Sequence, residues 1–156
     1  LSGNSGVHDL YVICSTPYAG ELARIDWIRF DRPGSSSADR AFAYRANWNT
    51  LLGSPGSFGL AGEMNDHHFH YGYFVQAAAI VAKYDPAWAA SFAPMIELII
   101  KDFANWDRTD TRFPVLRNFD PYAGHSWAAG HAGFAAGNNQ ESSSEAMNAA
   151  AGIALW

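Results

Sequence analysis

The sequence predicts a mostly α fold of antiparallel helical hairpins behind an irregular N-terminal segment. Three observations predict it. Apolar side chains recur at helical spacing over 66–84, at Phe69, Tyr73, Phe74, Ala77, Ile80, Val81 and Tyr84. A second stripe runs over 87–105 through Phe92, Met95, Ile96, Ile99, Ile100 and Phe103. Asp85-Pro86 separates the two with almost no connecting chain, and Pro86 suits a first helical position, where its missing N–H costs nothing. Two helices joined so directly must fold back on each other.

Taken in order, the first sixty residues are the least regular. Leu10-Tyr11-Val12-Ile13-Cys14 reads as a short buried strand, and Ile25-Asp26-Trp27-Ile28-Arg29-Phe30 as another. Pro33-Gly34-Ser35-Ser36-Ser37 reads as a loop, and 38–48 as one irregular helix. Residues 51–62, with Pro55 and Gly53, Gly56, Gly59 and Gly62, read as a loop at the edge of a cleft. After the helical hairpin, 106–138 read as a long glycine- and aromatic-rich connection, a length that in a compact domain usually serves function. Residues 141–156 read as a third helix. The whole, 1–156, reads as a single domain in which 1–47 are an N-terminal segment without a clear pattern.

Composition narrows the partners. A chain of 156 residues with 49% hydrophobic side chains can bury one sizeable core. Only 16% are charged while 15% are aromatic. Rings can simply fill that core, or line a cleft, where flat apolar faces stack on sugars. The net charge of −5 is uneven: 1–60 carry five acids and five bases, 61–156 ten acids and five bases. With no basic face, nucleic acid is excluded as a partner, and a neutral, hydroxyl-rich ligand fits better. The lone Cys14 excludes an internal disulfide and a cysteine zinc site. No apolar run approaches the roughly twenty residues that span a bilayer, so no membrane partner is expected. The first residues lack the basic end and apolar run of a signal peptide, and a chain opening at Leu1 reads as a processed product or part of a longer one.

Chemistry concentrates at two helix entrances. Asn65-Asp66-His67-His68-Phe69-His70-Tyr71-Gly72-Tyr73 opens the first helix, and Asn139-Gln140-Glu141-Ser142-Ser143-Ser144-Glu145 the third. Helix starts present free N–H groups and the positive end of the dipole, so two acidic, amide-rich starts suggest one shared site. Asp66 reads either as an N-cap or as a general acid whose pKa is raised by apolar surroundings. Glu141 and Glu145, four apart, share a helix face where like charges repel. They read as a solvated face or as a cleft wall, one a base and the other orienting a water. His67, His68 and His70 invite a metal reading but lack two histidines at i and i+4 around a glutamate. Hydrogen bonding to a ligand suits them better. Gly124-His125-Ser126-Trp127-Ala128 approximates a nucleophile elbow, but Pro121 spoils the strand such an elbow needs.

Those two blocks, together with Arg117-Asn118-Phe119-Asp120-Pro121-Tyr122-Ala123-Gly124-His125-Ser126-Trp127, resemble glycoside hydrolase family 81, the endo-β-1,3-glucanases. The resemblance covers about 48–156. It implies that 48–156 are part of an α/α catalytic domain, a partial (α/α)6-barrel. Family members are longer and place a β-sandwich before that barrel. It also implies cleavage of internal β-1,3-glucosidic bonds in glucans such as laminarin and curdlan, with inversion, without metal or other cofactor, by a secreted enzyme. On the matching positions Asp66 would be the general acid, Glu141 the general base and Glu145 an aid to water positioning. His70, Tyr71, Asp120, His125 and Trp127 would line the sugar subsites. Helix faces left open by a partial barrel would either repack or be covered by further copies of the chain. Two other classes stay in view: a glucan-binding or structural module without turnover, and a metal hydrolase.

Overall fold

The computed structural model describes residues 42–53, 58–131, 133–135 and 139–156. The strands expected at 10–14 and 25–30 and the loop at 33–37 lie outside the described residues. All described residues belong to one compact unit, Phe42–Trp156. It is mostly helical with two small antiparallel sheets. The order is β1 (Phe42–Arg45), β2 (Thr50–Gly53), α1 (His67–Tyr84), α2 (Pro86–Ala104), β3 (Phe119–Asp120), β4 (His125–Ser126) and α3 (Ser143–Leu155).

The irregular helix expected over 38–48 is corrected: 42–45 form β1, paired antiparallel with β2 from Phe42↔Gly53 to Arg45↔Thr50. Alternation decides this. Phe42 sets its edge on the rings of Tyr71 and Phe74, at 5.1 Å each, and Tyr44 packs on Phe113 at 5.5 Å. Side chains two apart share one face of a strand but not of a helix, so packing overrides helical propensity. Asn49, at φ 50, occupies the left-handed region that closes the turn. Residues 51–53, expected as loop, are strand for the same reason: Thr50 and Leu51 are buried and the Leu51 N–H reaches the Asp102 carboxylate at 2.7 Å.

The helical hairpin follows its pattern. Asp85 is the entire connection, and its side chain accepts the Trp88 N–H at 2.9 Å while Pro86 opens α2. Val75, Ala78 and Ala79 of α1 and Ile96, Ile99, Ile100 and Phe103 of α2 are buried. Each of the large ones contributes roughly 1.5–3 kcal/mol by leaving water.

α3 packs on α1 backbone to backbone. A Cβ added at Gly72 would lie 2.5 Å from the Ala149 Cβ, and one at Gly152 would lie 2.9 Å from the Gln76 nitrogen. No side chain fits at either place. The contacts advance together, from 72 to 76 along α1 and from 149 to 152 along α3, so the two helices run parallel. Their N-termini therefore share one end of the molecule. Gly72→Ala is expected to destabilise the chain by about 1–3 kcal/mol through overpacking, although alanine normally favours a helix. A lowered urea midpoint checks this, and an unchanged or raised midpoint contradicts the close contact.

Candidate active site

At the shared end, one backbone residue ties both entrances together. The Asp66 N–H donates to the Ala128 carbonyl at 2.9 Å, and the Ala128 N–H donates to the Asn139 carbonyl at 3.0 Å. The chain carrying Ala128 arrives from the β3–β4 ribbon. There Asp120 Oδ1 accepts the N–H groups of Tyr122 and Ala123, at 2.8 and 3.1 Å, and reverses the chain. Beyond Ala128, Gly130 lies so close to Met64 that an added Cβ would come within 2.2 Å of the Met64 side chain.

Asp66 caps α1 in the left-handed region, at φ 58, without a side-chain capping bond. It is partly buried, and Oδ1 has no hydrogen-bond partner. Burial first, then the charges of Glu141 and Glu145, push its carboxyl up to about 6. His67 pulls weakly the other way. Glu141 precedes α3 at φ 61, also left-handed, and is exposed. The helix expected over 141–156 thus starts two residues later, and Glu141 and Glu145 do not share a helix face. Ser142 caps α3 through the Glu145 N–H at 3.3 Å. The Glu145 carboxylate accepts the Tyr73 hydroxyl at 3.2 Å, which bridges α3 to α1. His70, half-buried, stacks on the exposed ring of Phe58 at 5.6 Å. Burial holds its pKa below the usual imidazole range, against the pull of Glu145. Two non-glycine residues in left-handed backbone at electrostatically coupled carboxylates fit a pattern in which strain collects at functional sites.

The structure thus brings Asp66, Glu141, Glu145 and His70 to one end. His125, its Nδ1 2.8 Å from the Ser126 carbonyl, lines a pocket of about 300 Å³. His68, Asn118, Ser126 and Gln140 share that pocket's polar side, and Phe103, Leu116, Met147 and Ile153 its apolar side. Asp120 sits at the ribbon turn. Trp127 is half-buried, its backbone N–H on the Asn118 carbonyl at 3.0 Å and its indole N–H without a partner. Tyr71, expected beside a sugar, lies in the core instead. It is 1% exposed, and its hydroxyl donates to the Leu51 carbonyl and accepts the Gly53 N–H, at 2.8 and 3.1 Å. An aromatic hydroxyl bound twice to β2 props that strand.

The three histidines diverge. His67 turns to Asp102, His68 to Ser126 Oγ at 3.0 Å and His70 to Phe58. Among the described residues no three His, Cys, Asp or Glu side chains group to hold a metal ion. Ser126 ends β4 and the chain continues irregularly, without the helix a nucleophile elbow requires. Sequence reasoning missed Phe58, hidden in a stretch read as loop, and Tyr73, read only as part of an apolar stripe.

Comparison with known proteins adds the family. The family described as Glycosyl hydrolase family 81 C-terminal domain matches residues 32–156. A glucan endo-1,3-beta-D-glucosidase of Acetivibrio thermocellus is 66% identical over 168 aligned positions, covering 97% of this chain and 21% of that protein. One from Thermobifida fusca is 55% identical over 132 positions, covering 83% and 17%. A solved structure of a glycoside hydrolase family 81 protein from Clostridium thermocellum superposes with a TM-score of 0.72 at 66% identity. That match covers 74% of this chain and 16% of the other. The chain therefore spans about a fifth of the length of the curated relatives it matches.

The Asp66 carboxyl gives a signed test. Its folded-state pKa lies above the ordinary value, so the stability it contributes is complete below 3.8 and lost as pH rises through about 6. Asn at this position carries no such loss. The stability advantage of Asp66→Asn is expected to grow across that window and then level off, reduced in size by solvent screening at this part-buried site. Urea midpoints of both proteins across the window check it. A difference that does not change with pH contradicts the reading.

Proposed function

The chain belongs to glycosyl hydrolase family 81, and from that premise we propose that it is part of an enzyme hydrolysing internal β-1,3-glucosidic bonds in glucans such as laminarin and curdlan. The observation that carries the proposal is the shared end of two parallel helices, where a half-buried Asp66 feels the charges of Glu141 and Glu145. Pairs of carboxyl groups with environments that hold one protonated are the machinery of glycoside hydrolysis.

Asp66, held protonated up to about 6, donates its proton to the leaving glycosidic oxygen. Glu141, exposed across the entrance, takes a proton from a water that attacks the anomeric carbon on the opposite face. Glu145, fixed by Tyr73, orients that water. Attack opposite the leaving group inverts the anomeric centre and asks for roughly 6.5–9.5 Å between the two carboxyls, room for one water. His70, Asp120, His125 and Trp127 flank the sugar chain, and Phe58 adds an exposed ring beside His70. In this reading α1, α2 and α3 belong to an α/α barrel whose other helices cover their open faces, and the enzyme acts outside the cell. No helix among the described residues is long and apolar enough to cross a membrane.

Release of reducing ends from laminarin is the test. Asp66→Asn and Glu141→Gln are each expected to lower it by about 10²-fold or more. Wild-type levels in either variant would remove that residue from the mechanism. Glucan binding without release by the unaltered chain would favour the second reading, a binding module, for which the exposed Phe58 and Tyr122 rings are suited. The rate is expected to fall as pH rises through about 6, as the acid loses its proton. The first product seen by NMR is expected to be the α anomer, and a β anomer would overturn inversion.

A further inference from the structure

Asp66 lies between two anchors built from charged side chains that the hydrolytic mechanism leaves unused. The first follows it directly. His67 and Asp102 are both fully buried, with Nδ1 2.6 Å from Oδ2. The other ring nitrogen, Nε2, lies 3.0 Å from the Leu60 carbonyl. Both ring nitrogens thus face oxygen atoms of other residues. Asp102 Oδ1 meanwhile accepts Thr50 Oγ1 at 2.8 Å and the Leu51 N–H at 2.7 Å. The second anchor precedes Asp66. Arg117 donates through Nε to the Asp102 carbonyl at 3.1 Å and through one terminal nitrogen to the Asn49 carbonyl. Its other terminal nitrogen faces Met64 Sδ at 3.7 Å.

A pair of charges removed from water stabilises little in net terms, and an apolar pair of similar size often does as well. In some proteins such a pair fixes geometry instead. The segment it brackets needs fixing: Met64 and Asp66 stand at φ 52 and φ 58, a region that side chains with a Cβ avoid.

We propose that Arg117, Asp102 and His67 form a positioning relay that holds Asp66 in its left-handed turn and so aims its carboxyl toward the Glu141 side of the entrance. The relay rests on the reading of Asp66 as the acid. None of its members is a catalytic residue, since Asp102 and His67 are sealed in the core.

NMR of the 156-residue chain tests it directly. The three-bond amide–Hα coupling and the Cα and Cβ shifts of Asp66 report its φ. Asp102→Asn keeps the volume, removes the charge and leaves His67 without its carboxylate. Loss or averaging of the left-handed signature at Asp66, with the interior amides of α1 and α2 unchanged, is the expected result. A retained left-handed signature in the folded variant overturns the relay. Should that variant not fold, Arg117→Lys decides by the same criterion, because one ammonium cannot reach both carbonyls and Met64 together. In laminarin hydrolysis the folded variant is expected to lose roughly 10²-fold in kcat with KM unchanged. A lower unfolding midpoint with φ and kcat intact would reduce these residues to structural support and end the proposal. If Asp66→Asn leaves hydrolysis untouched, the assignment of the acid fails, while the φ measurement still decides the relay.

Discussion

The backbone contact between α1 and α3 is the constraint on which the rest depends. Gly72 faces Ala149 and Gly152 faces Gln76 with no room for a side chain. Helices this close must keep a fixed register, because sliding by one residue would drive a Cβ into opposing backbone. Parallel direction then puts both polar entrances at one end, although more than seventy residues separate Asp66 from Glu141 in the chain. The antiparallel α2 returns the chain to that end, from which the connection 105–142 leads into α3. The β3–β4 ribbon within that connection supplies the piece that joins the two entrances.

Opposing electrostatic influences meet at Asp66. A helix N-terminus favours a carboxylate, and a capping bond would normally draw the charge to the N–H groups. Here the left-handed backbone turns the side chain out of capping geometry, and no capping bond forms. The dipole's help is reduced while burial and two neighbouring glutamates oppose ionisation, and they prevail. The side chain that reads as an N-cap therefore makes no cap, and burial with two glutamates raises its pKa.

The first two helices were legible because periodic apolar spacing is a local signal, and Asp85-Pro86 marked the hairpin within a residue. The β1–β2 hairpin was not legible, since Phe42 and Tyr44 choose a strand only once Tyr71, Phe74 and Phe113 are present to receive them. Tyr71 sat among polar neighbours in the most distinctive block of the chain, so it read as cleft; its partners are backbone atoms of β2, which sequence pattern does not reveal. Asp102 lies inside a regular apolar stripe, thirty-five positions from His67. Nothing local distinguishes it from a solvent-facing acid.

The bridge through Ala128 has a consequence of its own. Its two hydrogen bonds use main-chain atoms only, and its side chain is buried, so a larger residue there would strain both. The separation between the two acidic helix mouths is therefore gauged by the backbone of one small residue. Gaining or losing one residue beside it would bring a different residue's backbone into the bridge and reset the gauge at once.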